Sequence, residues 1–344
     1  NDRGQCGLPP PPPGARYTQV AAGTFHTVLL RSDGGAAACG ANDHGQCDLP
    51  APGPQLSFTH AAAGSDHTVL LRSDGRVVAC GSNGFGQCSV PEAEPGVRYT
   101  QIAAGNFHTV LLRSDGRAVA FGCNRCGQCR LPHPTDGANY TQVAAGGTHT
   151  VLLRNDGRAV ACGSNRCLQC DLPSAESFDQ VAAGGFHTVL LRSDGSAIAC
   201  GANDEGQCDL PEGEAGMRFL QIAAGGDHTV LLRSDGQALA CGDDSYGQCD
   251  LPQADPGLKF CPALALWDYV VQLDAEGPRA VICRSLVSGE ALATLSLSPS
   301  ELDSCVVKRI AEELGRPGVR IRVVDAGGSL LVEPRTTWAE FFRR

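Results

Sequence analysis

The sequence predicts a mainly β protein, with small antiparallel sheets repeated radially or in a stack and a small α+β domain appended. Three observations carry this reading. The phrase VAAGxxHTVLLRSDG recurs with small changes, and its histidine returns at His26, His67, His108, His149, His187 and His228. The spacing is forty-one residues, except for one of thirty-eight. A fixed period of that size is the signature of a repeat architecture. Inside each repeat the apolar period is two, punctuated by Asp-Gly pairs, as in short strands joined by turns. No helical pattern occurs before residue 298, and there the periodicity changes.

Taken in order, residues 1–9 (NDRGQCGLP) match the tail of a repeat whose beginning is missing, and Pro9 to Pro13 reads as a stiff connector. Six repeats follow, each opening on an aromatic: Tyr17, Phe58, Tyr99, Tyr140, Phe178 and Phe219. In the first of them HTVLLR is a strand, Asp33-Gly34 turns the chain, and Ala36 to Cys39 returns. GANDHGQCDLP then turns again and is expected to give a last short extended piece ending at Pro50. Ala-Ala-Gly before each histidine leaves no room for large side chains, which suits a crowded strand near an axis. The three-residue contraction falls between Pro173 and Phe178, which marks the stretch after each Leu-Pro as a surface connector.

A further aromatic-led unit at Phe260 is degenerate. Val271, Leu273, Glu276-Gly277 and Cys283 keep the echo, Tyr269 stands in for the histidine, and no GQC follows. This unit lacks its tail, whereas residues 1–9 are a tail lacking its unit. The two are expected to complete one shared blade, with Cys6 and Leu8 against the strands around Val271 and Leu273. That would close a ring of six whole blades and one shared blade and remove exposed sheet edges. Tyr269–Ala275 is equally open to being a strand of the tail domain. In that domain Ala280–Leu286 and Ala291–Leu297 read as a hairpin about Ser288-Gly289. Ser298, Pro299 and Glu301 start a helix with Leu302, Val306, Ile310 and Leu314 on one face. Ile321–Val324 is a strand, and Gly327-Gly328 a turn.

The 344 residues carry a formal charge of −10, which suits a phosphate backbone poorly, so no direct nucleic-acid binding is expected. No apolar run reaches the length of about eighteen residues that a membrane span needs, and no membrane partner is expected. The chain opens at Asn1, partway through a repeat, and a cut or processed N-terminus is the expectation. The eighteen cysteines fall mostly into two columns. One is ACG (Cys39, Cys80, Cys162, Cys200, Cys241), and the other is GQC (Cys6, Cys47, Cys88, Cys129, Cys170, Cys208, Cys249). Phe121 fills the first column in the third repeat. A position that accepts Cys or Phe is an apolar one. Reduced, buried thiols in a cytoplasmic or nuclear protein are therefore expected, rather than a disulfide ladder.

Several motifs that suggest chemistry dissolve into these columns. Each of the six histidines precedes Thr and an apolar strand. A column repeated in every unit is structural, and each histidine is expected to hydrogen-bond within its own blade rather than to join a metal ring. Cys123, Cys126 and Cys129 spell CxxCxxC, but Cys129 is the GQC column. The other two fill slots held elsewhere by Ala41, Ser82, His44 and Phe85, and no metal is expected. GxNxxG is followed by a strand, not by the helix that a phosphate loop opens. Ser32 and Ser73 belong to turns, with no base fixed near them. No catalytic residue and no cofactor is assigned.

The informative columns are those that vary inside otherwise constant repeats. The residue two before Gln in GxNxxGQ is His44, Phe85, Cys126, Cys167, Glu205 or Tyr246. The residue just before the histidine is Phe25, Asp66, Phe107, Thr148, Phe186 or Asp227. Core columns must repeat because every blade packs alike, whereas surface columns are free to carry information. Exposed aromatics in turns are binding anchors. These twelve residues are the expected partner-binding positions, set against the alternative of drift at unconstrained loop sites.

GxxHT, the apolar strand ending in Asp-Gly, and GxNxxGQ together resemble the regulator of chromosome condensation family over roughly residues 1–260. The resemblance implies a seven-bladed β-propeller: here six full repeats plus one shared blade. It implies no single activity, since that family includes a Ran nucleotide-exchange factor, a plant ultraviolet-B photoreceptor and recognition modules of HECT-type ubiquitin ligases. Ultraviolet sensing through stacked indoles is not expected, because Trp267 and Trp338 lie outside the repeats. The tail resembles a ubiquitin-like domain, without a final strand and without a terminal Gly-Gly. The expected division is a propeller over 1–266 and a truncated ubiquitin-like β-grasp domain over 267–344. The expected function is a non-enzymatic protein-interaction scaffold tied to ubiquitin-linked machinery. The alternatives are a guanine-nucleotide exchange factor for a Ran-type GTPase and the recognition part of a HECT-type ligase.

Overall fold

The computed structural model describes residues 1–134, 137–211 and 216–251, together with the backbone of five strands between residues 269 and 332. The chain divides into two units, Asn1–Cys261 and Pro262–Arg344.

In the first unit every repeat folds into one three-stranded antiparallel sheet. Blade 1 consists of β1 (Tyr17–Ala22), β2 (His26–Arg31) and β3 (Ala36–Gly40), side by side in that order. Blades 2 to 6 open at Phe58, Tyr99, Tyr140, Phe178 and Phe219 and repeat the same order. The register is fixed: Val20 faces Leu29 and Leu29 faces Ala37, with a bulge between Tyr17 and Gln19 that recurs in every first strand.

The middle strand is apolar on both faces because both are covered, as in any strand packed between two layers. Val28, Leu29 and Leu30 are buried, and so are their counterparts in blades 2 to 5. Each blade packs on the next through these residues. Val28 and Leu30 of blade 1 cluster with Phe58 and Leu70 of blade 2, and Val189 and Leu191 of blade 5 with Phe219 and Leu231 of blade 6. The aromatic that opens a repeat is thus a plug between blades. Where it is tyrosine its hydroxyl donates to the carbonyl of the proline eight residues before it, Tyr99 to Pro91 at 3.0 Å and Tyr140 to Pro132 at 2.6 Å.

The extended piece expected after β3 is not a strand. The chain leaves the sheet at Gly40 and runs through tight turns, with Gly45 at φ 79°, a conformation that disfavours any side chain. Side chains satisfy its backbone locally: Cys47 N–H donates to Asn42 Oδ1 at 2.8 Å and His44 N–H to Gln46 Oε1 at 3.0 Å. With those donors satisfied the segment needs no sheet partner, so the blades have three strands. Residues 1–9 copy this turn, Cys6 N–H to Asn1 Oδ1 and Arg3 N–H to Gln5 Oε1. They seat on blade 1 as each tail seats on the next blade: Tyr17 Oη donates to the Pro9 carbonyl and Cys39 S–H to that of Gln5.

The second unit holds a five-stranded sheet in the order Ala291–Ser296, Ala280–Ser285, Tyr269–Ala275, Ile321–Val324, Leu330–Val332. The expected hairpin is present, and so is the strand at Ile321. Tyr269–Ala275, which the sequence leaves between a blade and the tail, belongs to this sheet. It pairs antiparallel with Ala280–Ser285 and parallel with Ile321–Val324, so both of its edges are taken. The helix expected from Ser298, residues 252–268 and the expected packing of Cys6 and Leu8 near Val271 and Leu273 lie outside the described residues.

Candidate protein-interaction face

The constant columns hold the blades to one another. His26 Nε2 lies 2.8 Å from Thr68 Oγ1 in blade 2, His67 3.0 Å from Thr109, His108 2.9 Å from Thr150, His149 3.0 Å from Thr188 and His187 2.9 Å from Thr229. The expectation of a bond within one blade is therefore corrected, because every partner sits in the next blade. Each of these threonines donates its hydroxyl proton to the carbonyl of the GQC glutamine, for example Thr150 to Gln128 at 2.8 Å. Its oxygen must then accept from Nε2–H, which fixes the neutral histidine tautomer and leaves Nδ1 unprotonated. Burial, then the neighbouring histidines, hold His67, His149 and His187 down at about 4 and His108 at about 3. The glycine of Ala-Ala-Gly is required by the same packing: a Cβ on Gly105 would strike the Gly146 carbonyl and the His108 ring.

The variable columns lie at one end of each blade, where the first strand ends, the second begins and the third ends. In blade 2 the buried Gln87 accepts from Phe85 N–H at 2.9 Å, and Asn83 accepts from Cys88 N–H at 2.9 Å. Equivalent glutamine bonds pin His44, Cys126, Cys167, Glu205 and Tyr246. The backbone of this column is fixed, whereas the side chains of His44, Phe85, Cys126, Glu205 and Tyr246 are exposed and that of Cys167 is half-buried. In the column before the histidine, Phe25, Phe107, Phe186 and Asp227 are exposed, and Asp66 and Thr148 are half-buried.

The two columns meet across blade boundaries. Phe85 of blade 2 and Phe107 of blade 3 stack at 5.6 Å between ring centroids, tilted by 60°, and the Arg125 guanidinium lies 5.3 Å over the Phe85 ring. Phe25, His44 and Asp66 line a cleft of about 190 Å³ with Arg3, Ala41 and Asp43. Cys126 and Thr148, Cys167 and Phe186, and Glu205 and Asp227 hold the same two columns at the boundaries that follow. Sequence reasoning missed four residues of this face: Arg3, Arg125, Arg166 and Leu168. Arg3 occupies the His44 slot of residues 1–9. Arg125 and Arg166 stand beside the chosen column, where Asp43 and Asp204 mark the same slot as variable. Leu168 replaces a glycine and is 60% exposed.

The opposite end of the blades is occupied by local pairs. The strand-final arginine bonds the turn aspartate in Arg31–Asp33, Arg72–Asp74, Arg113–Asp115, Arg154–Asp156 and Arg233–Asp235. A cleft of about 470 Å³ between blades 3 and 4 opens there, lined in part by Arg113, Asp115, Tyr140 and Asn155, all of which bond within the structure. Apart from Cys6, which is exposed, the cysteine columns are half-buried rather than fully buried as expected, and their S–H groups donate to backbone carbonyls, Cys88 to Ser82 at 3.2 Å and Cys80 to Gln46 at 3.8 Å. Burial pushes the Cys80 and Cys88 thiols up to about 11 and Cys162 to about 12. These thiols are protonated donors, not nucleophiles.

Comparison with known proteins agrees with this architecture. No curated protein matches the chain. Among solved structures, human WBSCR16 aligns with a TM-score of 0.58 at 20% identity, covering 69% of this chain and 79% of that one. Prp20p from Saccharomyces cerevisiae aligns with a TM-score of 0.59 at 21% identity, covering 69% and 74%. The ectodomain of the Physcomitrella patens receptor kinase CR4 gives 0.56 at 19%, covering 82% and 74%. At these identities the likeness is one of fold. The family model for the regulator of chromosome condensation (RCC1) repeat matches residues 17–46, 58–87, 99–128, 140–169, 178–207 and 219–248, just over half of the chain. With six such repeats, each folded into a blade locked to its neighbour, the chain belongs to the RCC1 repeat family.

Proposed function

We propose that this chain is a protein-interaction module that acts by binding, with the two variable columns as its recognition face. One observation carries the reading: the constant columns link blade to blade, while the variable columns present exposed side chains on a pinned backbone at one end of the blades. Preorganised backbone lowers the ordering cost of association, and exposed aromatics supply anchors. The fold neighbours support protein partners, since Prp20p is described by its binding to Gsp1p and histones, and yeast RCC1 by its complex with Kap60. The exchange-factor alternative rests on fold likeness alone. The ubiquitin-linked reading rests on the second unit, where a central parallel pair is flanked by antiparallel strands. The cysteine columns, one of which takes Phe121 in the third repeat, fit a reducing compartment, cytoplasmic or nuclear.

The test is affinity capture with crosslinking, using the full chain and a variant carrying Phe25→Ser, Phe107→Ser, Phe186→Ser and Tyr246→Ser. The wild type retains a reproducible set of proteins, and the variant loses it with an unchanged melting curve. An identical set from both would overturn the assignment of this face. Accelerated nucleotide release from a Ran-type GTPase by catalytic amounts of the chain would place exchange ahead of simple binding.

A further inference from the structure

We infer that the part of this face on blades 2 to 4 takes an acidic segment of a partner protein that carries an apolar side chain; the inference rests on the interaction-module reading above. The turns of these three blades read SNGFGQCS, CNRCGQCR and SNRCLQCD, with Arg125, Arg130 and Arg166 against the single carboxylate of Asp171. Asp171 is engaged within its own turn, accepting from Asn165 Nδ2 at 2.8 Å. No carboxylate pairs with Arg125, Arg130 or Arg166 among the described residues, whereas the arginines that end the middle strands are paired. The flanks have the opposite sign: Asp43 of blade 1 and Asp66, which lines the same cleft on the blade 1 side of blade 2, lie on one side, and Asp204, Glu205 and Asp227 on the other. In a chain of formal charge −10 this is a basic island bounded by acid, so a carboxylate-bearing segment is attracted to its middle and repelled at its ends.

The apolar component lies beside the charges. Phe85 and Phe107 form an exposed tilted pair, 43% and 38% exposed, with Arg125 stacked on Phe85. Leu168 is the second, independent observation. It stands at φ 66°, a left-handed conformation, where the other full repeats have Gly45, Gly86, Gly127, Gly206 and Gly247 at positive φ. A leucine there is strained, and its side chain faces solvent, so neither local geometry nor packing accounts for it. An apolar partner group would account for it. A nucleic acid fits less well, because one face of the Phe85 ring is already covered by guanidinium and a few separated arginines make a poor track for a phosphate backbone.

The experiment pans a display library of short random peptides on the immobilised full chain. Selected peptides and a single-stranded oligonucleotide are then titrated by fluorescence anisotropy. Enrichment of Asp or Glu next to Phe, Leu or Trp is expected. Arg125→Glu with Arg166→Glu weakens those peptides about tenfold or more, and Leu168→Gly weakens them without lowering the melting temperature. Selected peptides without acidic enrichment, affinity indifferent to the double charge reversal, or capture of the oligonucleotide in place of peptides would each overturn the inference. Peptides lost on Phe85→Ser and Phe107→Ser but indifferent to charge would remove the acidic partner and leave the interaction module standing. No enriched peptide, together with an unchanged captured set in the lysate test, would remove both.

Discussion

Thr150→Val tests whether the histidine–threonine links hold the blades together. The Thr150 hydroxyl is fully buried, accepts from His108 Nε2–H at 2.9 Å and donates to the Gln128 carbonyl at 2.8 Å. Valine has the same shape, so no cavity opens, and the change isolates the loss of the hydroxyl. The buried His108 Nε2–H of blade 3 is left without a partner, and the Gln128 carbonyl of the same repeat keeps only the Cys162 S–H at 3.6 Å. The orphaned N–H costs about 1–3 kcal/mol and the weakened carbonyl about 1 kcal/mol, so the change costs about 2–4 kcal/mol. In a unit of this size that lowers the melting temperature by about 5–15 °C. The matched control is Thr27→Val in blade 1. Thr27 is half-buried, and no histidine-bearing blade precedes it among the described residues, so the loss there stays below about 1 kcal/mol. Thermal melts followed by circular dichroism compare the two variants, and hydrogen exchange shows whether protection is lost in blades 3 and 4. Equal shifts for Thr150→Val and Thr27→Val would refute the reasoning, because they would show that the inter-blade bond contributes no more than an exposed hydroxyl.

Acid should weaken the same links. His67, His149 and His187 titrate at about 4 and His108 at about 3 when folded, against 6.5 when unfolded, so below about pH 6.5 the unfolded chain binds protons that the folded chain refuses. The contribution of these histidines is flat above about pH 7 and falls toward pH 5 by about 2 kcal/mol for each of them. The turn aspartates, held below 3.8, add nothing in that window, and a melting temperature constant between about pH 7 and pH 5 would contradict the neutral tautomer. Gly105→Ala drives a Cβ into the Gly146 carbonyl and the His108 ring and is expected to cost about 3 kcal/mol or more, read as a lowered urea midpoint. Leu168→Gly removes a left-handed leucine and is expected to raise the melting temperature by a few degrees, corresponding to about 1 kcal/mol.

Much of the scaffold was legible because a repeat states its core several times. The six opening aromatics, the HTVLLR strands and the Asp-Gly turns appear where periodicity places them. What a repeat conceals is which copy a residue touches. Thr27 follows His26 directly and Thr68 lies forty-two positions away, yet both belong to the same column, so sequence cannot say which accepts from the histidine. The same ambiguity turned the GQC segment into an expected strand. Its Asn and Gln are polar residues that satisfy their own turn, and alternation does not distinguish that from a sheet edge. Tyr269–Ala275 was undecided because a degenerate copy and an unrelated strand share a period of two.

The recognition face was legible in part, for a reason that also explains what was missed. Looking for variation among exposed columns found the residues whose identity changes freely, such as Phe85 and Tyr246. It passed over Leu168, which breaks a column that is otherwise constant. GSNRCLQC beside GxNxxGQC was visible in the sequence as a missing glycine. Sequence alone does not show whether the turn changes shape to accept leucine or holds its shape and strains it. The structure shows that it holds: Leu168 N–H bonds the Asn165 carbonyl at 3.2 Å, Cys170 N–H bonds Asn165 Oδ1 at 2.8 Å, and Cys167 N–H bonds Gln169 Oε1 at 3.0 Å. Three bonds around one residue determine the turn whatever side chain stands at its apex, and such over-determination allows strain to persist. The columns that make the blades alike thereby allow single residues at this end to depart from the rule and face solvent.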